Sequence, residues 1–192
     1  MKPYRVAILG CRSRGSSAAR VYHTHPRTEL VGLCDLLEDR LNTLGDELSI
    51  KARFTDLDEM IRQTKPDIVA MTSFTISMID VVLAAQNIRK IVPEAHLCLG
   101  GHHPIAFPFE AASLPEFDSI VVGEGEIVFT ELVKAIEDKK PFTEITGVYT
   151  NESIQKYRNT TLKDRRFLNK VKVPPAYIDD IDSLPIPNRE YI

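Results

Sequence analysis

The first residues equipped for chemistry are the glycines that follow the N-terminal apolar run. In the stretch VAILGCRSRG, Gly10 and Gly15 hold the first and third positions of a Gly-x-Gly-x-x-Gly turn, and Arg12 holds the middle one. Such a turn lets backbone N–H groups approach a pyrophosphate at the N-terminus of the next helix. We therefore expect Gly10, Arg12, Ser13, Arg14 and Gly15 to contact a nucleotide. The alternative is that the glycines serve the turn alone.

An acidic residue stands where a dinucleotide site needs one. Asp35 ends the second apolar run, 20 residues after Gly15. A carboxylate at this position binds the ribose hydroxyls and disfavours a 2′-phosphate, which favours NAD over NADP. The alternative is that Asp35 only caps the end of a strand.

The N-terminal part of the chain resembles a known family. The segments YRVAILGCRSRGSSAARVYHTHPRTELVGLCD and ARFTDLDEMIRQTKPDIVAM are similar to the NAD(P)-binding domain of the Gfo/Idh/MocA oxidoreductases, over about residues 1–72. The resemblance implies NAD(P) contacts from Gly10 to Gly15 and from Asp35. That family also has a Glu-Lys-Pro segment after its fifth strand, where this sequence has LCLGGHHP, and a large substrate domain. We therefore expect no dehydrogenase activity.

From Ser73 onward the sequence resembles a different family, the cobalamin-binding domain of B12-dependent radical SAM enzymes. The resemblance rests on SFT, GGHHP, FDSIVVGEGE, the helix FTELVKAI, and the later ITGVYTN and IDDIDSLPIPNRE. It implies three loops that hold the corrin and its nucleotide tail, because small residues let a large flat ligand approach the strand ends. The matching residues are Ser73, Thr75, Gly100, Gly101, His102, Gly123, Glu124 and Gly125.

Parts of that second site are missing from the sequence. The loop GCRSRGSS lacks the histidine of an Asp-x-His-x-x-Gly motif, and no CxxxCxxC iron–sulfur motif follows. We therefore expect no radical chemistry from this chain. His102 and His103 fit a solvated loop pair better than a metal site, and Glu124 and Glu126 fit the N-terminus of a helix.

Apolar runs alternate with helical patterns, which predicts the elements that position these residues. The predicted strands are Tyr4–Leu9, Leu30–Cys34, Ala52–Phe54, Asp67–Met71, Ala95–Leu99 and Ser119–Val122. They predict an α/β fold with a doubly wound, three-layer, Rossmann-like parallel sheet of strand order 3-2-1-4-5-6 over residues 1–140. Residues 141–192 are expected to form a small hairpin, turning at Asn151–Glu152, and an extended tail that packs on this domain.

Composition limits the classes of function. A net charge of −3 gives no attraction to nucleic acid or to an anionic membrane. No apolar run approaches the roughly 18 residues of a membrane helix, and no signal peptide is visible. The three cysteines, Cys11, Cys34 and Cys98, are scattered, which predicts buried, reduced thiols and a cytoplasmic location.

The two resemblances meet near residue 72. We interpret the chain as an engineered chimera without catalytic activity, and NAD(P) and cobalamin as candidate cofactors that bind weakly if at all. One alternative is a ligand-binding module for NAD(P) or for cobalamin. The other is a fragment of a dehydrogenase or of a B12-dependent radical SAM enzyme.

Overall fold

Strands and helices alternate along the chain, as the spacing of the apolar runs predicts. A computed structural model describes residues 3–155 and 177–184. These residues divide into two units, one built around residues 3–66 and the other around Asp67–Arg89 and the described residues of Glu94–Ser183. We call them the first unit and the second unit.

The first unit is a parallel sheet with the strand order β3-β2-β1. Its elements are β1 Tyr4–Leu9, α1 Arg14–Thr24, β2 Thr28–Cys34, α2 Glu38–Glu47, β3 Arg53–Phe54 and α3 Leu57–Thr64. The middle strand β2 packs against helices through apolar side chains. The core consists of Cys11, Ala19, Leu30, Leu33, Leu41, Leu44 and Leu48.

The second unit has the strand order β4-β5-β6-β7, in which β7 alone runs antiparallel. Its elements are β4 Ile68–Thr72, α4 Met78–Ile91, β5 His96–Gly100, α5 His102–Ala106, α6 Pro108–Ala112, β6 Ser119–Val121, α7 Gly125–Glu137, β7 Val148–Tyr149 and α8 Asn151–Ile154, with 3-10 helices at Thr75–Ser77 and Ile181–Ser183. One apolar cluster joins β5 and β6 to α7 and β7. It contains Cys98, Val121, Val128, Leu132 and Val148.

The predicted α/β class with parallel, Rossmann-like sheets is confirmed. Within each sheet the strand order also follows the prediction, since 3-2-1 and 4-5-6 are both present. The structure differs in that the described hydrogen bonds form two sheets instead of one six-stranded sheet. Each unit buries an apolar cluster of its own.

The predicted hairpin turn at Asn151–Glu152 is wrong. Val148–Tyr149 does form a strand, but it pairs with β6, and Asn151–Ile154 is a short helix. The cause is a reciprocal cap: Thr150 Oγ1 accepts the Ser153 N–H at 3.1 Å, and Ser153 Oγ accepts the Thr150 N–H at 2.9 Å. The cap favours a helix where the prediction placed a turn between strands.

The three cysteines are buried and free, as the sequence predicts. Burial raises the pKa of Cys34 to about 11 and that of Cys98 to about 11. Both thiols are therefore protonated at neutral pH and poor nucleophiles. In the described part of the chain, no helix combines the length and apolar character that crossing a membrane requires.

Candidate functional site

The predicted glycine turn is present at the end of β1. Gly10 has a φ of +92°, and its N–H donates to the Cys34 carbonyl oxygen at 2.8 Å. Gly15 lies in the first turn of α1, where an added Cβ would overlap the Gly10 carbonyl oxygen. Gly15 therefore lets the helix start directly against the strand end, which is the packing role of the third glycine in such turns.

The other residues predicted for this turn surround the start of α1. Arg12, Ser13 and Arg14 are exposed, and the first helical turn carries no acidic residue. Ser13 precedes the helix with a φ of 50° and makes no side-chain cap. The helix N-terminus is thus open and flanked by two positive charges, an arrangement that suits an anion.

Asp35 is tied to the same turn by backbone hydrogen bonds. Its Oδ2 accepts the Cys11 N–H at 2.7 Å, and its Oδ1 accepts the Leu37 N–H at 2.9 Å. Both hydrogen bonds lower the pKa of the Asp35 carboxyl, and the bond from Cys11 has the larger effect. Asp35 therefore caps the strand end, as the alternative interpretation proposes. Each oxygen keeps one further lone pair, so a contact with ribose stays a prediction.

The loops after β4 and β5 meet in the second unit. Thr72 and Gly100 pair in the parallel ladder, so the next residues of both strands emerge side by side. The Ser73 N–H donates to the Gly100 carbonyl oxygen at 3.1 Å, and the His103 N–H donates to the Ser73 carbonyl oxygen at 3.1 Å. The structure thus brings together the predicted residues Ser73, Gly100 and their neighbours at the carboxyl edge of the sheet.

Gly101 allows this close approach of the two loops. It has φ 97° and ψ −168°, a conformation that residues with a side chain hardly ever adopt. An added Cβ would lie 2.5 Å from Thr72 Oγ1, 2.8 Å from the Ser73 oxygen and 2.9 Å from the Ser73 nitrogen. No other residue type fits between the loops without moving one of them.

The two histidines after Gly101 have different environments. His102 is exposed, and its ring stacks on Phe74 with centroids 4.6 Å apart and planes 17° apart. His103 is only 3% exposed, so the prediction of a solvated pair is wrong for this residue. His103 is the second residue of α5 and is buried together with Pro104. Because His102 and His103 are adjacent and identical, the sequence does not indicate which of the two rings faces the interior.

His103 and Ser73 each carry a buried polar atom for which the described residues provide no hydrogen-bond partner. His103 Nδ1 lies 3.2 Å from Thr75 Oγ1, which connects it to the predicted residue Thr75. Within residues 3–155 and 177–184, however, His103 Nε2 and Ser73 Oγ are buried without a hydrogen-bond partner. Ser73 is only 1% exposed. Unpaired buried polar atoms are rare in folded proteins, so each of these needs an explanation.

The third predicted loop follows β6. Gly123 has a φ of +105°, Glu124 precedes α7, and Gly125 is the first residue of that helix. Glu124 makes no side-chain cap at the helix N-terminus. Its Oε2 instead accepts the Ile178 N–H at 2.5 Å, so this loop holds the described segment of the tail.

Residues 18–133, more than half of the chain, match the model of the family described as "B12 binding domain". The chain belongs to the B12-binding domain family. The loops after β4, β5 and β6 all lie within the matched part of this B12-binding domain, and the match extends across residue 72 into the first unit.

Individual relatives are considerably longer than this domain. It is 29% identical to an uncharacterized methyltransferase from Pyrococcus horikoshii over 194 residues, which is 100% of this chain and 39% of the relative. It is 40% identical to an anaerobic magnesium-protoporphyrin IX monomethyl ester cyclase from Cereibacter sphaeroides over 126 residues, which is 64% of this chain and 21% of the relative. The domain therefore spans well under half of each relative.

Among solved structures, the domain is similar to apo scyllo-inositol dehydrogenase from Lactobacillus casei, with a TM-score of 0.45 and 17% sequence identity. The likeness covers 71% of this chain and 42% of that chain.

These comparisons change two of the sequence-based interpretations. The expectation that the chain is not an enzyme is wrong at the level of its family, because the relatives carry the names of a methyltransferase and a cyclase. The engineered chimera gains no support. One family description spans the supposed junction, and one relative aligns with the chain on both sides of it.

Proposed function

We propose that the chain is the cobalamin-binding module of a longer B12-dependent enzyme. The cofactor would be held by three loops at the carboxyl ends of neighbouring strands, Ser73–Thr75 after β4, Gly100–His102 after β5 and Gly123–Gly125 after β6. Membership of the B12-binding domain family supports cobalamin as the ligand. The sheet supports the location of the site, because α/β folds bind ligands outside the carboxyl ends of their strands.

The junction of the first two loops carries this proposal. Gly101 allows the loops to touch where any side chain would separate them. Ser73 Oγ and His103 Nε2 are buried there, and neither has a hydrogen-bond partner among the residues that the structure describes. If these loops served only as connections, buried polar atoms without hydrogen bonds at their junction would lower the stability of the fold with no compensating benefit. The residues therefore fit a ligand that brings hydrogen-bonding groups to the sheet edge.

Each part of the module has its own task. Bound cobalamin would supply a cobalt centre able to carry a methyl group or an electron. The backbone around Gly101 leaves room for a large planar ligand at the strand ends, and the buried Ser73 hydroxyl there has no partner within the described part of the chain. The stacked rings of Phe74 and His102 give an exposed aromatic surface beside the loops, because Phe74 is 55% exposed.

Titration of the chain with hydroxocobalamin tests the proposal. We expect one equivalent to bind and the cobalamin absorbance bands to shift on binding, with a parallel rise in melting temperature as ligand is added. A melting temperature and spectrum that stay constant at millimolar cobalamin would contradict it. Methylcobalamin in place of hydroxocobalamin would show whether the upper ligand of the cobalt matters.

The reaction of the longer enzyme is a further part of the proposal. Relatives named for methyl transfer and for a cyclisation support a role in group transfer or ring formation on an organic substrate. The resemblance to B12-dependent radical SAM enzymes supports a catalytic domain that this chain does not include. The buried, unpaired thiols support a reducing, cytoplasmic setting.

A second candidate function concerns the first unit. The open N-terminus of α1, with Gly10 and Gly15 in place and Arg12 and Arg14 exposed beside it, favours a dinucleotide phosphate. Calorimetric titration with NAD and NADP tests this candidate. We expect NAD to bind more tightly, because the Asp35 carboxylate repels a 2′-phosphate. Equal affinity for both would remove Asp35 from the site.

A further inference from the structure

The second unit carries an apolar groove of about 200 Å³ that is lined by α4, α5 and α6. His103 and Glu110 contribute to its lining. The other lining residues are apolar, and they are Met78, Ile79, Val82, Leu83 and Leu114. Sites for drug-sized ligands measure about 300–1,000 Å³ and enclose most of the ligand. A groove of this size therefore suits an apolar side chain presented by a protein partner.

The helix α4 exposes apolar side chains as well as burying them. Ala85 and Ile88 lie in the core, with 0% and 2% of their surface exposed. Ile79 and Leu83, which line the groove, are 76% and 54% exposed, and Ile76 just before the helix is 96% exposed. Residues three and four positions apart share one face of a helix. The exposed side chains therefore form a continuous apolar surface beside the groove, and such surfaces mark sites of interaction.

The surroundings of the groove are acidic. Residues 73–88 and 102–117 include all of its lining residues, and they contain Asp80, Glu110 and Glu116 but no lysine or arginine. Both Glu110, in the lining, and Asp80, in the first turn of α4, are exposed. Charges of opposite sign across an interface select the partner and its orientation. A complementary partner therefore combines an apolar anchor side chain with a lysine or an arginine beside it.

Both named relatives are much longer than this chain. The chain spans 39% of the methyltransferase and 21% of the cyclase, so most of each relative lies outside the matched region. A segment of the same polypeptide docks at a high effective concentration, and a few side chains in a small groove suffice to hold it. Separate chains that form a stable complex bury about 1,200–2,000 Å² instead, more than a small groove provides.

We propose that the groove lined by Ile79, Leu83 and Glu110 is the docking site for a segment of the remaining part of the longer enzyme, a segment that carries an apolar anchor next to a lysine or an arginine. This inference rests on the proposed function in requiring a longer enzyme, and it does not depend on cobalamin binding. It assigns the outer face of α4 to contact between domains.

The test measures how accessible residue 83 is in two forms of the protein. The three native cysteines are buried, so Leu83→Cys places an exposed thiol at the groove. N-Ethylmaleimide labelling of this thiol is followed by mass spectrometry of the peptide that contains it, in this chain alone and in the full-length enzyme. Val21→Cys on α1 is the matched control, because Val21 is an apolar helix residue that is 48% exposed.

We expect Leu83→Cys to be labelled about tenfold or more slowly in the full-length enzyme than in this chain alone, because docking removes apolar surface from water. Val21→Cys should be labelled at the same rate in both forms. Adding Glu110→Lys should speed the labelling of residue 83 in the full-length enzyme several-fold, and adding Glu110→Gln should speed it less. All four positions changed are exposed, and circular dichroism verifies the fold of each variant.

Opposite results separate this inference from the proposed function. Equal labelling of Leu83→Cys in both forms would show that the groove stays open in the enzyme and would overturn the inference. Protection in this chain alone that increases with protein concentration would assign the groove to a second copy and overturn it too. Protection that Glu110→Lys leaves unchanged would refute the basic partner. A full-length enzyme that protects residue 83 but binds no cobalamin would overturn the proposed cofactor and leave the docking site in place.

Discussion

Replacing Gly101 by alanine should lower the stability of the domain more than the same change at the neighbouring Gly100. The backbone at Gly101 has φ 97° and ψ −168°, which costs a residue with a side chain about 1–3 kcal/mol. The new Cβ would also lie within 2.9 Å of three atoms of Thr72 and Ser73, and overpacking of this kind adds about 1–3 kcal/mol. We therefore expect Gly101→Ala to lower the free energy of unfolding by about 2–6 kcal/mol.

The neighbouring Gly100 provides the control. A Cβ there would meet only the Val121 carbonyl oxygen, at 3.9 Å, an ordinary contact. Gly100→Ala should therefore change the free energy of unfolding by less than about 1 kcal/mol. Urea denaturation followed by circular dichroism measures both variants, and cobalamin titration shows whether binding falls with Gly101→Ala alone. Equal stability of the two variants would refute the argument that the loops touch at Gly101.

Three further predictions concern single side chains. Because backbone N–H groups of Cys11 and Leu37 lower the pKa of Asp35, its stabilising effect is complete above the unfolded pKa of about 3.9 and is lost as pH falls through the lower folded pKa. Acid titration should therefore show a smaller loss of stability below about pH 4 for Asp35→Asn than for the wild type; identical curves would argue against this. Burial raises the pKa of Cys34 to about 11, so Ellman's reagent at neutral pH should label this thiol only after urea is added, and rapid labelling of the native protein would contradict its burial. Thr150→Ala removes the N-cap of α8 and should cost about 1 kcal/mol in urea denaturation, whereas an unchanged midpoint would show that the cap is not stabilising.

The strands were predictable because their apolar runs mark segments buried in a sheet. Tyr4–Leu9 was predicted with the bounds that the structure shows, and the strands Ile68–Thr72 and His96–Gly100 differ from prediction by a single residue at each end. Loop positions at the strand ends followed from these runs. Apolar runs do not specify whether two halves share one sheet, since that depends on edge pairing between strands far apart in sequence.

The partners of polar side chains were not predictable. The spacing placed Asp35 correctly at the end of β2, but only the fold shows that both oxygens accept backbone N–H groups. His103 was predicted to be solvated because nothing in HHP distinguishes its first histidine from its second. At Asn151 the sequence fits both a turn and a helix start, and the reciprocal cap between Thr150 and Ser153 favours the helix.

The strand β7 has a consequence for where this domain ends. The family match stops at residue 133, yet the outer edge of β6 is covered only when Val148 and Tyr149 add their antiparallel strand. Val148 is fully buried and Tyr149 is 1% exposed. A fragment cut at the end of the family match would leave open an edge strand flanked by apolar residues, and such edges recruit other chains into aggregates. The smallest soluble form of this module should therefore extend at least through residue 155, so that the edge strand and its capped helix remain with the sheet.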